Sequence, residues 1–232
     1  QISKSFNSNP TQFFKNKSAE KSVLKSISFQ VNYGDCIALL GKNGSGKTTL
    51  LKIISGLLDY DHGDLVIDNL KENKISIVNT NDRSFFYRLT IYENLRFFSA
   101  FNHSFQKREF NAKADEVLEL LELTEKKDSL YMTLSCGEKK KVAFARAILR
   151  DAKILLFDEI TSNLDIIARR EILNFIQNLL NEKKINAVIF STHSLDEVIS
   201  ISNKALILED GDLKEEMVII KDTKISDIEK LF

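Results

Sequence analysis

Eight consecutive residues, Gly41, Lys42, Asn43, Gly44, Ser45, Gly46, Lys47 and Thr48, constrain this chain more than any others. They form a complete G-x-x-x-x-G-K-[ST] pattern. Glycines let successive backbone N–H groups curl around an anion without Cβ clashes, and a following helix adds the positive end of its dipole. The flanks supply that setting. Residues 36–40 are an unbroken apolar run, and Leu50, Ile53, Ile54 and Leu57 recur at helical spacing. Strand, glycine loop and helix in that order predict a phosphate-binding turn. Lys47 is expected to reach the β and γ phosphates of a nucleotide and Thr48 to ligate Mg²⁺, with Thr49 completing the contacts at the helix start.

Further apolar runs at 75–78, 154–157, 187–190 and 205–208 are unalternated and rich in branched residues, as in strands covered on both faces. Helical periodicities fall between them, including Ile172, Phe175, Ile176 and Leu179. Strands alternating with helices predict an α/β fold with a mostly parallel sheet. A strand is also expected over 23–31. Strand signals disappear from 81 to 150, where Phe110, Ala114, Val117, Leu118 and Leu121 trace the apolar face of a helix. A helical lobe inserted into the sheet domain is expected there. Residues 7–21 are polar, carry the single proline, and are expected to form a surface loop. Residues 217–220 are strand-like.

A second constellation follows the run at 154–157, which ends in Asp158 and Glu159. Asp158 is expected to hold the Mg²⁺ shell and Glu159 to polarise an attacking water near the γ phosphate. Taken alone, the pair could equally be an acidic strand end beside Thr161 and Ser162, since such residues are common in turns.

Here the sequence resembles the ATP-binding subunits of ABC (ATP-binding cassette) transporters, over nearly the whole chain. Leu134, Ser135, Cys136, Gly137 and Glu138 resemble the family's LSGGQ signature, with Cys136 in place of a glycine and Glu138 in place of glutamine. Ser162, Asn163, Leu164 and Asp165 resemble its D-loop, and His193, after Ser191 and Thr192, resembles its switch histidine. The resemblance implies a P-loop NTPase fold with an antiparallel N-terminal β region and an inserted helical subdomain. One domain over 1–232 is implied, with a RecA-like core at 1–80 and 151–232 and the helical subdomain at 81–150. It further implies ATP and Mg²⁺ as cofactors and Glu159 and His193 as catalytic residues. Ser135, Gly137 and Asp165 would act on nucleotide held across a dimer of two such subunits. The adenine-stacking aromatic falls best on Phe6, with Phe13 and Phe14 as competitors. The family's Q-loop glutamine falls near Asn81, with Asn79 as the alternative.

The implied activity is ATP hydrolysis coupled to transport through a separate integral membrane permease, with the chain held peripherally at the cytoplasmic face. Export is the expected direction, from the 7–21 insertion; the rival reading is an ABC ATPase that works as a mechanical switch outside transport. Lys plus Arg equals Asp plus Glu at 33 each, so no excess positive charge suggests nucleic acid as a partner. The two cysteines, Cys36 and Cys136, suggest no disulfide framework. The aromatic residues Phe85, Phe86, Tyr87, Phe97, Phe98 and Phe101 are expected mainly in the core. Lys139, Lys140 and Lys141 are expected on a solvated helix face.

Overall fold

The computed structural model describes residues 2–7, 20–67, 74–78, 84–100, 107–159 and 161–231. Its centre is a six-stranded sheet in the order β5 (Ile75–Val78), β6 (Ile154–Phe157), β7 (Ala187–Ser191), β3 (Cys36–Leu40), β8 (Lys204–Glu209), β9 (Asp212–Val218). The first five strands run parallel and β9 is antiparallel to β8. A separate three-stranded antiparallel sheet joins β1 (Ile2–Asn7) to β2 (Glu20–Ile27) and to the short β4 (His62–Gly63).

The unalternated runs explain the parallel strands. Successive side chains point to opposite faces, so a strand covered on both sides must be apolar throughout. In β3, Cys36, Ala38 and Leu40 enter one buried cluster, whereas Ile37 and Leu39 enter a second. The same division separates Leu155 and Phe157 from Leu156 in β6, and Val188 and Phe190 from Ile189 in β7. The second cluster is closed by Leu50, Leu51, Ile53 and Ile54 of α1 (Lys47–Ile54) together with Leu24 and Ile27 of β2. The first is closed by α4 (Cys136–Leu149), α5 (Ile166–Asn181) and α6 (Leu195–Ile201). Fully burying each Leu, Ile or Phe contributes about 1.5–3 kcal/mol.

Three local features depart from or add to the sequence reading. Helix α1 stops at Ile54, leaving Leu57 exposed: Gly56 is left-handed (φ 72°), and the Gly56 and Leu57 amides donate back to Ile53 and Lys52 carbonyls. That is the glycine-capped Schellman arrangement. Strand β2 ends at Ile27 rather than at 31, and residues 28–32 belong to no strand. Finally, Asp210 and Gly211, both with positive φ (48° and 85°), turn the chain tightly into β9, a hairpin that D-G chemistry favours.

Between β5 and β6 come α2 (Ile91–Ala100), α3 (Lys107–Leu120) and α4. The predicted face of α3, Phe110, Ala114, Val117, Leu118 and Leu121, is buried. Several of the aromatics expected in the core are not there: Phe85 is buried, but Phe86 and Tyr87 ahead of α2 and Phe97 on it are exposed, and Phe101 lies outside the described residues. Among the described residues, no helix is long and apolar enough to cross a membrane.

Asn94, with no exposed surface, fixes the turn that leads into α2. Its Oδ1 accepts from Phe86 N at 2.8 Å, and its Nδ2 donates to the carbonyls of Phe86 and Thr90 at 3.0 and 2.9 Å. Asn94→Leu keeps the branched outline with bulkier ends and strands these backbone groups. It is expected to lower stability by about 2–3 kcal/mol. For a domain of this size that is a fall in melting temperature of roughly 4–12 °C. Thermal unfolding checks it, and an unchanged melting temperature would mean the turn is held by something else.

Candidate functional site

The parallel sheet brings the ends of β6, β7 and β3 side by side, with Phe157 in register with Phe190 and Leu39 with Ser191. Whatever follows those strands therefore meets at one edge: the glycine loop, Asp158 with Glu159, and Thr192 with His193. Open α/β sheets bind ligands at this carboxyl edge.

The loop's backbone is shaped by its glycines. Gly41, Gly44 and Gly46 have φ of 147°, 84° and 106°. A Cβ on Gly41 would lie 2.2 Å from the Leu208 carbonyl oxygen, and one on Gly46 would lie 2.5 Å from Leu24 Cδ2. Glycine at the N-cap also means that α1 has no side-chain cap. Among the described residues, the backbone N–H groups of Gly46, Lys47, Thr48 and Thr49 have no protein acceptor outside the helix. Beside them the buried Ser45 Oγ has no hydrogen-bond partner. Unpaired amides, an orphaned hydroxyl and a helix N-terminus fit an anion of phosphate type. The buried Lys47 ammonium donates to the carbonyls of Gly41 and Lys42 at 2.7 and 3.1 Å. Burial pushes Lys47 below the usual lysine range, while Asp158 and Glu159 act in the opposite direction. Lys42 and Asn43 are exposed on the loop's outer side.

Hydrogen bonds connect Thr48, Asp158, Ser191 and Glu159 into one chain, with His193 in ion-pair range at its end. Thr48 Oγ1 donates to Asp158 Oδ2 at 2.7 Å, and Ser191 Oγ donates to Asp158 Oδ1 at 2.6 Å. Ser191 Oγ also accepts from Glu159 N at 2.9 Å, and Glu159 Oε1 lies 3.5 Å from His193 Nε2. The hydroxyl and carboxylate of Thr48 and Asp158 are hard oxygen donors that suit Mg²⁺, an ion that keeps waters and phosphate oxygens in its shell. Among the described residues, no group of three His, Cys, Asp or Glu side chains is assembled for a metal. A two-residue protein contribution fits a Mg²⁺ completed by phosphate.

A second group gathers elsewhere. Ser135, Cys136, Gly137 and Glu138 line a cleft of about 230 Å³ together with Asn163, Leu164 and Asp165. Ser135 is the N-cap of α4 in a reciprocal capping box: its Oγ accepts from Glu138 N at 3.2 Å, and its N–H donates to Glu138 Oε2 at 2.9 Å. Asp165 caps α5, its Oδ1 accepting from Ala168 N at 2.8 Å. Among the described residues, no hydrogen bond joins Ser135 or Gly137 to the loop of residues 41–48, Asp158 or Glu159. The Phe6 backbone pairs with Lys21 in the N-terminal sheet, but its side chain, like Phe13, Phe14, Asn79 and Asn81, lies outside the described residues.

The lysine run is not a solvated face. Lys140 is 5% exposed and donates to the Ser162 carbonyl at 2.7 Å, and Lys141 pairs with Glu122 and Glu171. The long stems run along the protein while the ammonium groups find partners. Sequence reasoning also missed the bridging role of Ser191. A hydroxyl at the end of an otherwise apolar strand was its one signal.

The crowding at Gly46 gives a test. Gly46→Ala sets a methyl against Leu24 and forces a left-handed backbone on alanine. It is expected to weaken ATP binding about tenfold or more, read by calorimetric titration. Binding at wild-type strength would place the nucleotide elsewhere.

A family profile described as ABC transporter matches residues 24–162. The spermidine/putrescine import ATP-binding protein PotA of Thermotoga maritima is 34% identical over 198 residues, 82% of this chain and 53% of that protein. The chain thus spans about half the length of that relative. The energy-coupling factor transporter ATP-binding protein EcfA1 of Streptococcus pyogenes is 32% identical over 85% of this chain and 73% of its own. Among solved structures, cbiO1 from Clostridium perfringens, described as part of the ABC transporter complex cbiONQ, has a TM-score of 0.77 at 27% identity, covering 87% of this chain and 84% of that one. The ATP-binding cassette MJ0796, solved as a dimer in a post-hydrolysis state bound to ADP and Pi, has a TM-score of 0.78 at 25% identity, covering 94% and 97%. With its profile match over more than half its length and its glycine loop at the strand-to-helix turn, the chain belongs to the ABC transporter family, as one of its ATP-binding cassettes.

Proposed function

We propose that the chain binds ATP–Mg²⁺ at residues 41–49 and hydrolyses it in a dimer of two cassettes, driving a separate membrane permease. The observation that carries the hydrolytic part is the chain of contacts from Thr48 through Asp158 and Ser191 to Glu159 and His193. It puts a carboxylate base and its histidine neighbour beside the phosphate loop.

In this reading the amides of residues 46–49 and the Lys47 ammonium hold the phosphates, aided by the Ser45 hydroxyl. Mg²⁺, bound through Thr48 and Asp158, would neutralise charge developing on the phosphate oxygens. Glu159, half exposed at the strand end, orients a water for in-line attack and accepts its proton. His193, 3.5 Å away, steadies the Glu159 carboxylate.

The dimer rests on a different observation. Ser135 and Gly137 have no hydrogen-bonded connection to the phosphate loop of their own chain among the described residues. If the signature loop acts on ATP, a second copy is the means to bring it there, and the dimeric neighbour MJ0796 supports that arrangement. The permease part of the reading is supported by the transporter complex named for the neighbour cbiO1 and by the exposed Phe86, Tyr87 and Phe97 ahead of and on α2, aromatic anchors of the kind that fill interface pockets. Of the residues 7–21 that suggest export, most lie outside the described residues, and the relative PotA is named for import.

Glu159→Gln keeps the volume and removes the base. Turnover is expected to fall by roughly 10²-fold or more while ATP affinity stays within about threefold. Phosphate release and ATP titration read the two quantities, and light scattering in ATP–Mg²⁺ should then show a trapped dimer. A variant that turns over like the wild type would remove Glu159 from the mechanism.

A further inference from the structure

Beneath the Glu159–His193 pair lies a carboxylate that the proposed chemistry does not use. Glu197, in the first turn of α6, is 3% exposed. Both of its oxygens are engaged. Thr161 Oγ1 donates to Oε1, and Thr192 Oγ1 donates to Oε2 at 2.5 Å. Arg169 Nε on α5 lies 3.7 Å from Oε1 and supplies countercharge. Thr161 and Thr192 are themselves buried, at 4% each.

Their places in the chain give the contact its meaning. Thr161 is two residues beyond Glu159, and Thr192 immediately precedes His193. The segment after β6 is unusual: Glu159 and Asn163, neither of them glycine, both have positive φ (53° and 61°). Such conformations persist when surrounding contacts over-determine them. Thr192 is also held from its other side, its Oγ1 accepting from Ser194 N at 3.0 Å, which closes the turn around His193. One buried carboxylate thus grips the two segments that carry the site's exposed acid and histidine. A carboxylate taken out of water is costly unless fully paired, and this one is paired to those two segments.

Resting on the hydrolytic reading above, we infer that Glu197 is a positioning residue: through Thr161 and Thr192 it sets the Glu159–His193 geometry for attack on ATP without touching the nucleotide. The same clasp continues to the signature helix, because the adjacent Ser162 carbonyl accepts from Lys140 Nζ on α4 at 2.7 Å.

The test measures kcat, KM, ATP affinity and melting temperature for wild type, Thr161→Val, Thr192→Val, the two Thr→Ser variants and Glu197→Gln, with Glu159→Gln as the inactive reference. Each Val variant, isosteric but lacking the hydroxyl, is expected to lose about tenfold in kcat with KM and ATP affinity within about twofold. Each Ser variant should recover to within about threefold of wild type, and the double Val variant should lose less than the product of the singles, because both hydroxyls serve one carboxylate. Should Glu197→Gln fail to fold, the threonine variants decide alone. Val variants that turn over like wild type, Ser variants as impaired as Val, or a rise in KM in place of the fall in kcat each overturn the role of Glu197. A wild type without turnover overturns the hydrolytic reading, and this proposal with it; a wild type that turns over beside equally active Val variants overturns this proposal alone.

Discussion

The Asp158 carboxylate is the point on which the site's geometry depends. One oxygen receives the Thr48 hydroxyl from the start of α1 and the other receives the Ser191 hydroxyl from the end of β7, so a single side chain at the end of β6 joins three structural segments. Such bonds need donors within a few tenths of an ångström of their places, and hydroxyl bonds to a carboxylate are among the stronger kinds. What delivers that accuracy is the sheet register. Slipping β6 against β7 by one residue would move Asp158 about 3.3 Å and turn every core side chain to the wrong face. Leu155 and Phe157 fit one packed cluster and Leu156 the other, so a slip would also exchange side chains of different size between the two faces and disrupt their packing.

Around this fixed centre, the backbone is held in conformations that most residues avoid. At Gly41 and Gly46 the reason is space, since Leu208 and Leu24 leave none for a Cβ. At Glu159 the reason is aim. A left-handed residue two positions past a strand turns the chain, and with it the side chain, away from the strand's own path, and the amide of Glu159 is anchored on Ser191 Oγ. Ser191 therefore links the carboxylate suited to a metal with the backbone of the carboxylate suited to a water.

Much of this could be read from residues alone because it rests on local pattern. The loop of residues 41–48 declares itself through glycine chemistry, and the apolar runs declare two-sided burial. What could not be read depends on contacts between segments far apart in the chain. Glu197 looks like an ordinary acid in the first turn of a helix, where the dipole already favours one, and only the fold shows its oxygens committed to Thr161 and Thr192. Lys140 looks like part of a solvated run, and only the fold shows the Ser162 carbonyl waiting for it. The exposed rings of Phe86 and Phe97 mislead for the converse reason. Composition marks them as core, yet they meet edge to face, 4.7 Å apart, on the surface.

The two departures from the family signature find a physical account in the same terms. Glu138 stands where glutamine is expected, but the capping box needs only an oxygen that can accept the Ser135 amide, and a carboxylate supplies one. Its charge is offset by Lys126; burial alone would raise its pKa, and the bonds from Lys126 and the Ser135 amide more than reverse that, so Glu138 is held below the usual range. Cys136 is exposed at the first helical position and has no part in this box, so its side chain leaves the cap intact. The conformation of Gly137 is not one that requires glycine: a Cβ there would lie 3.4 Å from Ala168 Cβ, an ordinary van der Waals contact where the starts of α4 and α5 meet.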